Sequence, residues 1–290
     1  MTRPAILLTL ASVFAACTEY DLRGETAPGD PPAEEEEETP PIGDGGENPV
    51  AKCAVEPEVV TPPFEEATFD GTESYDPEGR QLVDYKWTLV EAPQGSSIDF
   101  PAGDSPTRKL TPDLAGDYRA QLVVTTEDGR VSEPCEVVLG AVPTENLWIE
   151  MFWQYSGDDM DLHLLAPGGT MWSNKDCHWM NCAYGTGLDW GVQGNVADNP
   201  KLDLDDIAGT GPENINVQTP GAGTYTVVVD DYPGSQFPGG NDVTVNIYVD
   251  GSLKWTGTKR ITGEEATSDG ADNDVYFAKI DWPSGNVTGM

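Results

Sequence analysis

Val83-Asp84-Tyr85-Lys86-Trp87-Thr88-Leu89 alternates apolar and polar residues without a break, the two-residue period of a strand with one face in a core and the other in water. On that reading Val83, Tyr85, Trp87 and Leu89 share a face, and Trp87 is the natural centre of a sandwich core. The period returns in Tyr118-Arg119-Ala120-Gln121-Leu122-Val123-Val124. Turn chemistry punctuates the pattern at Asp76-Pro77-Glu78-Gly79 and Glu127-Asp128-Gly129, where Pro presets φ and Gly accepts φ > 0. Farther along, strands are expected at Trp148 to Trp153, Met160 to Leu165, Thr224 to Val229 and Val243 to Val249, broken at short intervals by Gly, Pro, Asn and Asp. No stretch sustains a helical period. The expected fold is therefore all-β, with two β-sandwich domains, one over 53–143 and a jelly-roll-like one over 147–290.

The chain opens with Arg3 and an apolar run from Ala5 to Ala16, too short to span a bilayer and shaped like an export signal. It closes with Phe14-Ala15-Ala16-Cys17. Small residues before a cysteine resemble the bacterial lipobox, and that resemblance implies a signal peptide over 1–16 and a lipid on Cys17. Thr18 after the cysteine carries no aspartate retention signal and favours the outer membrane. From 17 to 52 the chain is rich in Pro, Gly and Glu, including Glu34 to Glu38, and cannot bury a core. Self-repelling charge and proline stiffness extend such a segment, so it reads as a disordered acidic linker that lifts the folded part off the lipid surface.

With Cys17 set aside, Cys53, Cys135, Cys177 and Cys182 remain, an even number in an oxidising compartment. Local pairing, Cys53 with Cys135 and Cys177 with Cys182, is the simplest of the three connectivities. The competing use is a zinc site with His163 and His178, but the spacing lacks a C-x-x-C pair. The balance of 51 acidic against 15 basic residues, a net charge of −36, excludes nucleic acid as a partner, because phosphate would be repelled. Such a chain attracts divalent cations or basic surfaces.

Two acidic stretches carry the chemistry. In Asp159-Met160-Asp161-Leu162-His163-Leu164, strand alternation sends Met160, Leu162 and Leu164 inward and Asp159, Asp161 and His163 outward. In Lys201-Leu202-Asp203-Leu204-Asp205-Asp206, the same rule sends Leu202 and Leu204 inward and Asp203 and Asp205 outward. Carboxylates brought together repel unless a cation separates them, and hard divalent ions take oxygen ligands. The expected cofactor is calcium, held by Asp159, Asp161, Asp203 and Asp205 with Glu213 closing the set. Plain solvated acidic strands are the alternative. Asp269 to Asp274 is the nearest approach to a contiguous calcium loop, and it lacks the closing glutamate.

Residues 69–79, Tyr85-Lys86-Trp87, and Ala115-Gly116-Asp117-Tyr118 through Asp128-Gly129 resemble, in order, the polycystic-kidney-disease (PKD) type of immunoglobulin-like domain. The resemblance implies a seven-strand sandwich used as a spacer or adhesion module, with no catalytic residues to carry over. The second domain resembles a largely uncharacterised family of exported bacterial β-domains. The matching features are the Trp-rich strand Trp148 to Trp153, Asp159-Met160-Asp161-Leu162-His163 with Pro167-Gly168-Gly169, Leu202 to Asp206, and Gly211-Pro212-Glu213. This second resemblance implies surface binding without naming a ligand.

The resulting expectation is a non-catalytic, lipid-anchored cell-surface binding, adhesion or spacer protein, stabilised by calcium and meeting an extracellular protein or glycan. A carbohydrate-binding lipoprotein is the runner-up, since Trp172, Trp179, Tyr184 and Trp190 cluster near the Cys177 to Cys182 loop and planar rings stack on sugars. Trp179 is the residue expected to touch such a ligand. A metal-dependent hydrolase is the third reading. It is opposed by there being only two histidines, neither in an H-E-x-x-H or nucleophile-elbow context.

Overall fold

The computed structural model describes residues 46–183, 187–232, 234, 236–262 and 274–290. Cys17, the signal segment, the linker up to Gly45, Tyr184 and residues 269–273 lie outside the described residues. Among the described residues no helix is long and apolar enough to cross a membrane.

Seven strands form the first sandwich: β1 (Ala54–Glu56), β2 (Val59–Val60), β3 (Ala67–Asp70), β4 (Leu82–Glu91), β5 (Thr107–Leu110), β6 (Gly116–Thr126) and β7 (Cys135–Ala141). They make a three-stranded sheet, β1-β3-β5, and a four-stranded one, β2-β7-β6-β4. Apolar residues at alternate positions of β6, from Tyr118 through Ala120 and Leu122 to Val124, are fully buried, as a one-sided strand requires. Trp87 centres this core: Phe69 meets it edge-on with ring centroids 5.8 Å apart, and its indole N–H donates to the Pro106 carbonyl at 3.2 Å. The Tyr118 hydroxyl reaches back to donate to the Leu114 carbonyl at 2.9 Å and accepts from the Leu114 N–H at 3.1 Å, a local tie common in such sandwiches.

Two expectations for this region are corrected. Val83 does not share the face of Trp87 but is 50% exposed. The pairing of β4 with β6 slips between Leu82 and Asp84, and this bulge turns Leu82 toward the core in its place. The linker also ends earlier than 52, because Val50 exchanges backbone hydrogen bonds with Tyr75 at 2.8 and 3.1 Å and the Lys52 N–H donates to Ser74 Oγ at 3.0 Å.

Among the described residues the second sandwich holds ten strands: β8 (Leu147–Trp153), β9 (Asp159–Leu165), β10 (Asp176–Cys177), β11 (Pro200–Leu204), β12 (Glu213–Val217), β13 (Gly223–Tyr232), β14 (Asn241–Val249), β15 (Ser252–Ile261), β16 (Val275–Trp282) and β17 (Asn286–Gly289). One sheet runs β11-β12-β8-β14-β15 and the other β10-β9-β13-β16-β17. Ile149, Met151, Met160, Leu162, Leu164, Val227, Val229, Val245, Ile247 and Phe277 fill the space between them. A single helical turn, α1 (Trp179–Cys182), follows β10.

Strand β8 is buried along its whole length. Leu147, Ile149, Met151 and Trp153 face the core of their own sandwich. The alternate residues meet the first sandwich. Trp148 packs with Ala115 and Tyr248, and the Phe152 ring lies so close to Gly95 that a side chain there would collide with it. Glu150 Oε1 accepts from the Ala115 N–H at 2.7 Å and from the Trp148 indole at 3.1 Å. Burial pushes the Glu150 carboxyl up to about 7, against the pull of the donors on Oε1.

The two disulfides join Cys53 to Cys135 and Cys177 to Cys182. The first closes a loop across 82 residues of sequence, so on the chain-entropy model its removal by Cys53→Ala and Cys135→Ala should cost about 4 kcal/mol, measured by denaturant unfolding. Glu150 generates a pH prediction. A carboxyl whose folded pKa lies above its unfolded value adds stability that is full below about pH 4.5 and lost as pH rises through about 7. Glu150→Gln keeps the acceptor oxygen and has no proton to lose. The stability of the wild type relative to Glu150→Gln should therefore fall by about 3 kcal/mol across that window, and a difference constant with pH would show that Glu150 does not titrate there.

Candidate functional site

Strand β9 lies between β10 and β13, but β10 pairs only with Leu164 and Leu165, which leaves the edge of β9 unpaired near Leu162. Glu213, at the start of β12 in the opposite sheet, fills that gap. Its Oε2 accepts from the Leu162 N–H at 2.8 Å, and its Oε1 takes a long 3.4 Å contact from the Asp206 N–H. Glu213 reaches this place because of the two residues before it. Gly211 has φ +86, and a Cβ there would sit 2.9 Å from the Met151 carbonyl, so only glycine fits. The Asp206 carboxylate holds the same turn by accepting from the N–H groups of Gly209 at 3.0 Å and Gly211 at 2.8 Å.

The acidic residues do not assemble as simple alternation predicts. The pairing of β11 with β12 slips between Leu202 and Leu204, and one inserted residue reverses which face the following side chains occupy. Asp203, the inserted residue, keeps the outer face that alternation gives it, accepts a hydrogen bond from the Asn216 side-chain amide and is no part of the cluster; the reversal begins after it. Asp205, past the bulge, comes to the mouth of the sandwich beside Glu213. On β9, Asp161 is not solvent-exposed as expected but 95% buried, and His163 is fully buried. Their face of the sheet lies beneath the segment that carries Trp172, Asp176 and His178.

Asp161, Asp205 and Glu213 each place a carboxylate oxygen within 4.8 Å of the others. Oxygens so spaced can all touch one ion at the 2.3–2.6 Å distances calcium takes. Asp159 stands beside them, and Asp230 of β13, paired across from Asp161, adds a fifth carboxylate that sequence reasoning missed. The only signal for it was an acid ending the apolar run Val227-Val228-Val229. Burial and then mutual repulsion drive the Asp161 carboxyl up to about 8 and that of Asp159 up to about 6, and burial followed by repulsion from Asp161 raises Glu213 well above its ordinary value. The Asp230 carboxyl is also raised by burial. The buried Asp230 Oδ1 has no hydrogen-bond partner among the described residues. The cluster floors a cavity of about 210 Å³ lined by Asp159, Asp161, Trp179, Asp205, Ile207 and Tyr232.

The two histidines do something other than bind zinc. His163 Nδ1 donates to the Asp176 carboxylate at 2.9 Å, which also accepts from the Trp172 N–H at 2.7 Å. His178 stacks on His163 with centroids 5.0 Å apart and planes 14° apart, and Trp172 meets both rings edge-on. Burial and the neighbouring imidazole lower the His178 pKa. Both nearby cysteine sulfurs are spent in their disulfide, so they are not free to join the histidines in the zinc site that was the competing use of these residues. This packing instead supports α1. Asn181 accepts from the His178 N–H at 3.1 Å and donates to the Asp176 carbonyl at 2.8 Å, and with the Cys177–Cys182 bond it presents Trp179 at the cavity rim. Trp190 lies elsewhere: it is buried beside Tyr225 against a separate cavity of about 260 Å³, its indole donating to the Asn174 carbonyl at 3.2 Å.

No family model matches the chain, and no curated protein matches it. Among solved structures, the chain is similar to the PKD domain from KIAA 1837 protein, with 22% identity and a TM-score of 0.27 over 34% of this chain and 91% of that one. It is also similar to a carbohydrate-binding module of the β-sandwich superfamily, with 15% identity and a TM-score of 0.29 over 72% of this chain and 98% of that one. At these scores neither likeness bears on what the cavity holds.

An ionised, largely buried Asp161 among like charges destabilises the metal-free fold. Asp161→Asn should therefore raise the melting temperature in chelator above about pH 8, where the wild-type carboxyl ionises, by roughly 2–4 °C for each kcal/mol of repulsion relieved. A fall on calorimetry would mean that the carboxylate is held by a partner of its own.

Proposed function

We propose that the protein is a non-catalytic, exported surface-binding module whose second sandwich holds calcium at Asp161, Asp205 and Glu213, with Asp159 and Asp230 beside them. One observation carries this reading: Asp161, Asp205 and Glu213, two of them buried, each bring a carboxylate oxygen within 4.8 Å of the others at the floor of a cavity. Isolated buried charge of this kind is too costly to keep unless a cation or a proton compensates it. An all-oxygen set favours a hard ion over zinc, and calcium is the abundant hard ion outside the cytoplasm. Cys17 supplies the lipid attachment on this reading, and the acidic segment behind it sets the module away from an outer-membrane surface.

An ion bound only by the folded form stabilises it by mass action. The full chain should melt higher in calcium than in chelator, and titration calorimetry should give one strong site. Asp205→Asn and Glu213→Gln should each abolish most of the shift, whereas Asp203→Asn should leave it intact. Zinc should shift the melting temperature much less. Superimposable melting curves in calcium and chelator would end the calcium reading.

A further inference from the structure

The cavity above the carboxylates has a rim that the ion does not need. Trp179 is 42% exposed and Tyr232 is 60% exposed, and both line the cavity. Large aromatic side chains left in water beside a concave site mark a contact surface. Trp179 is held there by the stapled turn, and Tyr232 by the pairing of β13, where it stands opposite Asp159.

Bound through one oxygen each, three carboxylates leave calcium's shell of six to eight oxygens short, and the cavity that Asp161 and Asp205 line is the space from which further oxygens would come. The ligand that fills them is constrained by charge. Asp159, Asp161, Asp205, Glu213 and Asp230 outnumber the two charges of the ion, and the whole chain carries −36, so a carboxylate or phosphate would be repelled. A cationic ligand would compete for the ion's own place. What remains is a neutral molecule with adjacent oxygens for the ion and an apolar face for the rings. We propose, resting on the calcium reading above, that the site binds a neutral pyranose, with two neighbouring hydroxyls on the ion and its C–H face against Trp179 or Tyr232. A cavity of about 210 Å³ is of a size to take one such ring.

The test is saturation-transfer NMR of the full chain with neutral methyl pyranosides of the manno, galacto, gluco and fuco series, each in millimolar calcium and again in chelator, with methyl glucuronide as the anionic control. Transfer to at least one neutral glycoside is expected in calcium, with none in chelator and none to the glucuronide. Trp179→Ala and Tyr232→Ala should each weaken binding at least tenfold while keeping the calcium-induced melting shift. If the melting shift is present and no neutral glycoside receives transfer, the sugar proposal is wrong and the calcium reading stands. Transfer that survives chelator, or that both aromatic variants leave unchanged, also overturns the proposal. Loss of the melting shift itself would remove both.

Discussion

Like charges in a low-dielectric pocket repel with a force that no surface cluster experiences, and the second sandwich is built to hold them in place regardless. Asp161 is fixed by β9, Asp230 by β13, and Glu213 by β12 of the opposing sheet. None of the three can retreat without breaking a ladder. The Leu162 N–H pulls Glu213 inward as a backbone donor that would otherwise be buried and unpaired. The cost falls on the carboxylates, whose proton affinities rise. The core beneath them, from Met160 to Phe277, supplies the hydrophobic stabilisation that offsets it.

The all-β class was legible because alternation and turn residues agree over most of the chain. The inward set of β9, Met160, Leu162 and Leu164, lies where the period puts it. Parity failed twice, at Leu82–Asp84 and at Leu202–Leu204. In both places the sequence keeps alternating through a bulge, so nothing in the pattern reports the extra residue. The second failure decides the site, since it separates Asp203 from Asp205. Burial of Asp161 and His163 was also hidden. Strand period says which residues share a face, and cannot say that a distant loop will cover that face. Asp230 joins the cluster through pairing between strands far apart in sequence, which one sequence does not disclose.

The His163, His178 and Asp176 group illustrates how polar residues can be structural. A carboxylate fixes one imidazole, the second imidazole stacks on the first, and Trp172 closes the edge. The result is a polar underlayer beneath the Trp179 turn. Residue types that suggest a metal site from spacing alone act here as packing that orients an aromatic side chain.

Strand β8 has a mechanical consequence. The connection from the first sandwich enters at Leu147, and Glu213 pairs with Met151 near the other end of the same strand. A load applied at the cavity and resisted at the first sandwich therefore runs along β8. Its neighbours β12 and β14 are hydrogen-bonded along both edges, with bonds perpendicular to that direction. Such a load must shear two ladders together, whereas an edge strand could be peeled one bond at a time. Docking of Trp148, Glu150 and Phe152 against the first sandwich removes the hinge that would otherwise let the two bodies swing, so the tension-bearing line passes through a strand buried along its whole length.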